Sequence, residues 1–152
     1  MTTAFKPVTA KRYLLRIRAL DRKINQLIEE RDDLRALALG GRSPSYDPDK
    51  VQTSHDGAAM AAVERWLDLE RDIVRLIDKY VTDKHRIILE IQELPDDRHV
   101  QLLNLRYVQM RRFEEISVIM GYSYSRVRHM HGDALMSFAR VHGLARPKVD
   151  TK

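Results

Sequence analysis

Apolar residues recur every three or four positions along most of this chain. From Thr9 the series Tyr13, Ile17, Leu20, Ile24, Leu27, Leu34 and Ala38 steps by four and three, with Arg31 occupying one slot of the seam. That spacing predicts a helix with one apolar stripe. Thr9 suits its N-terminal cap, and Gly40-Gly41 suits its stop. The helix would run about 45 Å at 1.5 Å per residue. A charge such as Arg31 inside the stripe must find a partner or reach solvent.

The periodicity lapses from Gly40 to His55, where Gly, Pro, Ser and Asp accumulate, and this predicts a loop spanning 40–56. A connection of that length is commonly functional or flexible, and Tyr46, Lys50, Val51 and Gln52 are its candidate binding residues. From about Asp56 to Leu94 the periodicity returns in Val63, Trp66, Leu67, Ile73, Val74, Ile77, Tyr80, Val81, Ile87, Ile88 and Ile91, widened by Leu69 and Leu76. One partner helix cannot cover so broad a stripe. The expectation for 1–94 is therefore a long antiparallel helical hairpin, coiled-coil-like, that serves oligomerisation. Trp66, Leu67, Ile73, Val74, Ile77, Tyr80 and Val81 would meet a second copy, a dimer being favoured. Glu70 lies in the stripe and can partner Arg31 in one register of the hairpin.

Leu94-Pro95-Asp96-Asp97-Arg98 ends that helix and opens another, since Pro fits a first turn and acids favour the positive helix end. Val100, Leu102, Leu103, Leu105, Tyr107 and Val108 make the next short helix. Ile116, Ile119 and Met120 then recur at helical spacing, with small Ser117 where two helices would cross. Gly121 suits a left-handed turn, and Ser123 suits the next N-cap. Val127, Met130, Leu135 and Phe138 give the following helix one apolar side, leaving Tyr124, Ser125, Arg128 and His129 on the other. Gly132 is expected to interrupt this helix, at about 1 kcal/mol relative to Ala. These signals predict a helix-turn-helix domain over 95–143 and a flexible polar tail over 144–152, so the fold class is all-α.

A chain that is 43% hydrophobic and 32% charged fits soluble amphipathic helices. No run has the apolar length of a membrane span, and Met1-Thr2-Thr3-Ala4-Phe5-Lys6-Pro7 lacks a signal-peptide core. A cytoplasmic location is expected. The absence of cysteine fits it and excludes thiol catalysis and thiolate zinc sites. The net charge of +5 is unevenly spread. From Pro95 onward ten Lys and Arg face six Asp and Glu, giving +4, whereas Gly57 to Leu94 has six against eight, giving −2. The basic C-terminal part suits a polyanion.

No catalytic motif accompanies these features. His129, His131 and Asp133 are close in sequence, but His131 points to another side of a helix than its neighbours and nothing supplies a third ligand at a known spacing, while Glu114-Glu115 are adjacent and diverge on a helix. There is no Gly-rich phosphate loop and no nucleophile motif. The expectation is a non-enzyme without cofactor or metal. His129 is assigned to DNA and His131 to the surface or to domain packing.

Leu94-Pro95, Leu102-Leu103-Asn104-Leu105-Arg106-Tyr107, Phe113-Glu114-Glu115-Ile116, Met120-Gly121 and Ser125-Arg126-Val127-Arg128-His129-Met130 with Ala134-Leu135 together resemble region 4 of bacterial sigma factors. That region contacts the promoter −35 element and other parts of the transcription machinery. The resemblance covers roughly the last third of the chain. The whole layout, including Asp49-Lys50-Val51-Gln52-Thr53-Ser54, is similar to small phage and prophage regulators of late genes, of the ArpU and RinA type. It implies that Tyr124, Ser125, Arg128 and His129 read bases while Ser123 and Arg126 hold the DNA backbone. Tyr124 and Ser125 stand where region 4 usually carries charge, so a −35-like preference does not carry over. The regions that melt DNA and bind the −10 element have no counterpart here.

The resemblance thus implies a nucleoid-associated, sequence-specific regulator of phage or prophage genes in a bacterial host, an activator working with host RNA polymerase on double-stranded DNA. Two alternatives fit the same layout. One is a DNA-packaging protein of the small-terminase kind. The other is a module that imitates sigma region 4 to bind RNA polymerase without binding DNA.

Overall fold

A computed structural model describes residues 9–39 and 53–144. The protein is all-α over these residues, with no strand among them. Its elements are α1 (Ala10–Leu14), α2 (Arg16–Ala38), α3 (Thr53–Gln92), α4 (Asp97–Leu103) continued by one π turn (Asn104–Val108), α5 (Phe113–Met120) and α6 (Tyr124–His142). Gly40-Gly41, the candidates Tyr46, Lys50, Val51 and Gln52, and the tail from 145 lie outside the described residues. No described helix is long and apolar enough to cross a membrane.

Thr9 caps α1, its hydroxyl accepting from the Arg12 N–H at 3.3 Å. The single helix expected from Thr9 is interrupted only at Leu15, where the local turn tightens. The Leu15 N–H still reaches the Lys11 carbonyl at 3.0 Å, and the Ala19 N–H reaches Leu15 at 3.1 Å. The expected start of the second helix near Asp56 falls three residues late, since α3 begins at Thr53.

Packing gathers the described chain into two compact units, one of residues 9–19 with 81–144 and one of residues 20–80. These units do not coincide with a boundary at 94/95. Pro95 does end the preceding helix, but the apolar residues on both flanks of the N-terminal half are buried along with the C-terminal helices. Ala10, Leu14, Ile17, Ile87, Ile91 and Leu94 are all buried. The Tyr13 ring lies 5.9 Å from Phe138, and its hydroxyl donates to the Glu90 carboxylate at 2.7 Å. Burial and the neighbouring Glu90 push the Tyr13 hydroxyl up to about 12.

In the unit of residues 20–80, Leu27 of α2 packs with Leu69 and Ile73 of α3, flanked by Ile28, Leu34 and Leu76. Arg31, the charge in the seam, reaches Glu70 at 3.4 Å and Asp32 at 3.0 Å. Glu70 also accepts from the Trp66 indole N–H at 3.3 Å, and the Arg35 guanidinium lies 5.9 Å from the Trp66 ring centre. These partners rise along α2 as they fall along α3, so the two segments run in opposite directions.

In the other unit α6 is the common neighbour of α1, α4 and α5. Asp96 caps α4, accepting from the Arg98 N–H at 2.9 Å and from two guanidinium nitrogens at 3.0 and 3.2 Å. These hydrogen bonds from Arg98 hold its carboxyl down at about 2. Leu102, Leu103, Leu105 and Tyr107 are all buried, more than one face of a regular α-helix accommodates over so short a span. The wider π turn takes up the mismatch, closed by the Gln109 N–H on the Asn104 carbonyl at 2.9 Å. The chain then turns through Met110, a non-glycine residue at φ 57°. Such a conformation costs about 1–2 kcal/mol.

Candidate nucleic-acid interface

The turn between α5 and α6 is fixed by its own backbone and two side chains. Glu115 accepts from the Arg112 N–H at 2.8 Å at the start of α5. At the other end Gly121 sits at φ 71°, and both its N–H and that of Tyr122 reach the Ser117 carbonyl, at 3.0 and 3.1 Å. The Ser117 hydroxyl donates to the Tyr122 carbonyl at 2.5 Å, which ties the end of α5 to the turn. Ser123 caps α6 by accepting from the Arg126 N–H at 3.2 Å.

Phe113 and Ile116 bury α5, and Val127, Met130, Ala134 and Phe138 bury α6. Three expectations need correction here. Ile119 is exposed rather than part of the apolar side of α5, because Phe113 sets the phase of that helix one turn earlier than Ile116. Leu135 is only half-buried, and the small Ala134 takes the innermost place beside it. Gly132 does not interrupt α6, which runs unbroken to His142.

The inward set leaves the first turns of α6 open on the other side. Tyr124, Ser125, Arg128 and His129 are exposed and line one shared surface depression. Ser123 and Arg126 flank it. The hydroxyl oxygen of Ser123 is committed as the cap acceptor, and the Arg126 guanidinium stacks 4.4 Å from the Tyr122 ring centre. The Arg128 guanidinium lies 4.9 Å from the Phe113 ring centre, so its stem crosses from the open face toward the core.

His131 points the other way. Its Nε2 is 2.8 Å from the Tyr107 hydroxyl, and its ring meets Phe113 edge-on at 4.9 Å. Burial, with Arg106, Lys11 and Arg128 nearby, pulls its pKa down to about 4, so it is neutral at physiological pH. Among the described residues no three His, Cys, Asp or Glu side chains gather as a metal site. Lys11 and Arg106, drawn in beside Arg128, were not singled out by the sequence.

The residues expected to meet a second copy divide into two sets. Ile73 is only 3% exposed and packs on Leu27 and Leu69, which removes it from any outer surface. Trp66 and Tyr80 are half-buried. Leu67, Val74, Ile77 and Val81 remain outside, Val74 being 64% exposed. No protein-family model, curated protein or solved structure matches this chain.

Proposed function

We propose that α5, the Gly121–Ser123 turn and α6 form a helix-turn-helix that binds double-stranded DNA, and that the chain is a sequence-specific regulator of transcription from phage or prophage promoters. The observation that carries this reading is the single open face of Tyr124, Ser125, Arg128 and His129 on the N-terminal turns of a helix whose opposite side is buried. A recognition helix uses those turns to meet base edges in the major groove. Arg128 donates to a guanine edge or a nearby phosphate, Tyr124 and Ser125 set local preference, and Arg126 holds the backbone. The resemblance to sigma region 4 supports activation together with host RNA polymerase.

The test is selection of binding sites from a random duplex library, followed by a salt titration of the winner beside a scrambled duplex. Enrichment of a motif, with an affinity ratio that persists as salt rises, is expected. Arg128→Ala should cost about 1–3 kcal/mol on the selected site if the contact is bidentate. No enrichment would reject the site-specific reading. The polymerase-binding alternative has one observation in its favour, the apolar Val118, 82% exposed beside Ile119 on α5. Polymerase capture without duplex binding would select it.

We further infer that a second copy covers the exposed stripe of α3. Leu67 and Val74 are seven residues apart, with Ile77 one turn on, as in a coiled-coil seam. Arg71 and Asp78 flank this stripe, also seven apart, and line one surface groove with Glu70, Val74 and Arg75. A copy running in the opposite direction, Val74 against the other copy's Ile77, brings Arg71 beside Asp78 twice. A parallel copy leaves the same charges unpaired, because Trp66, Ile73 and Tyr80 occupy the positions that would answer them.

A further inference from the structure

A cavity of about 100 Å³ lies among α1, the π turn, α5 and α6. Its apolar walls are Leu15 and Phe113, and its polar lining is Lys11, Arg106, Tyr107, Arg128 and His131. Three cations therefore surround one small space, and no acid lines it. No carboxylate pairs with Lys11, Arg106 or Arg128 among the described residues. The two guanidiniums share the Phe113 ring, at 4.1 and 4.9 Å from its centre. That aromatic ring offsets part of their mutual repulsion, but it supplies no counter-charge. The volume equals that of about three waters, each taking roughly 30 Å³, or of one compact five-atom group. Guanidinium forks match the oxygens of such a group in pairs, and a lysine adds a point charge.

We propose that this cavity binds a tetrahedral oxyanion, a phosphate group, held by Lys11, Arg106 and Arg128. The phosphate belongs either to a DNA backbone or to a free phosphate or phosphomonoester. Arg128 also lines the open face of α6, so the anion and a base edge draw on one guanidinium. Sulfate binding without duplex binding would keep this inference and sink the DNA reading, so the two fail separately.

His131 is the reporter. The charged groups facing it are Lys11 from α1, Arg106 beside Tyr107 on the π turn, and Arg128 from its own helix, with uncharged Phe113 from α5. An anion among those cations favours the protonated imidazole and must raise its pKa from about 4. The experiment is an NMR pH titration of His131 in the full chain, in chloride and in sulfate at equal ionic strength, sulfate keeping its double charge throughout. Sulfate should raise the His131 pKa by about one unit or more, saturably. Lys11→Gln, an exposed change that leaves the helical circular dichroism intact, should weaken the sulfate response about tenfold. A duplex that raises the His131 pKa and displaces sulfate assigns the phosphate to DNA. Sulfate retained in the presence of bound duplex assigns it to a free anion. Identical His131 titrations in chloride, sulfate and duplex overturn the proposal, as does a sulfate response that Lys11→Gln leaves unchanged.

Discussion

Among the described residues the unit of residues 20–80 buries only Ile24, Leu27, Leu69 and Ile73, while Leu67, Val74 and Ile77 stay outside. The other unit buries Leu14, Ile17, Ile87, Ile91, Leu102, Leu103, Ile116, Val127 and Phe138 almost completely and adds cross-element hydrogen bonds from Tyr13, Tyr107 and His142. The first leans on one narrow seam and on ion pairs that are largely exposed, which contribute about 0–1 kcal/mol each. The second is determined from several sides at once. A face presented for recognition has to be held rigidly, whereas a face presented to another copy can complete itself on association.

The strongest attempt to break that contrast is Phe138→Ala. Phe138 is fully buried and touches both the Tyr13 and His142 rings, at 5.9 and 4.5 Å between centres. Its truncation should cost about 3–5 kcal/mol. Hydrogen exchange should quicken in α1 and in α4 to α6 while residues 20–39 keep their protection. Equal loss in both units would mean that they are one cooperative body and that the contrast has no energetic meaning.

The next largest effect concerns the outer stripe. Val74→Glu places a charge at the centre of the inferred seam without disturbing Leu69 or Ile73, so the helical signal should be retained. Losing one buried aliphatic contact per copy, about 1.5–3 kcal/mol each and about 3–6 kcal/mol for the dimer, should raise the dimer dissociation constant roughly 100- to 10,000-fold in sedimentation equilibrium. A wild-type chain that stays monomeric at tens of micromolar would sink the second-copy inference. A ring of many subunits would instead support the packaging alternative.

The helix punctuation was legible because it is local: Thr9, Gly121 and Ser123 act on residues three or four positions away. The open face of α6 followed from the same arithmetic. The partnership of Arg31 and Glu70 was legible only as one register among several, since a seam of repeating aliphatics does not choose its own register. What could not be read is what depends on tertiary phase. Ile116 and Ile119 are equally apolar, and only Phe113 above them decides which is buried. The π turn re-phases Leu105 and Tyr107 in a way no regular period describes. Lys11 and Arg106 stand 95 residues apart, and they meet only because the α1 segment leaves the seam to join the C-terminal helices.

Acid should probe the same asymmetry more gently. His131 has a folded pKa depressed to about 4 against an ordinary 6.5, so between those values the unfolded chain binds a proton that the folded chain refuses. Its contribution is full above pH 6.5 and is lost as pH falls toward 4, roughly 1–2 kcal/mol once solvent screening is allowed for. Urea midpoints should fall over that window, and His131→Asn should flatten the fall. An unchanged slope in the variant would place the acid sensitivity elsewhere.

The smallest expected effect separates the two units most cleanly. Gly132 lies within α6 with no atom within 4 Å of where a Cβ would stand, and its φ is not left-handed. Gly132→Ala therefore adds no clash and removes only the backbone freedom that glycine has in the unfolded chain, worth about 1 kcal/mol. For a unit of this size that raises the melting temperature by about 4–8 °C. If the units unfold separately, the gain should appear in the exchange protection of α4 to α6 and leave residues 20–39 where they were. A gain shared by both would show that α3, continuous from Thr53 to Gln92, transmits stability across the division. No gain at all would mean that the exposed face of α6 near Gly132 already depends on a freedom that alanine removes.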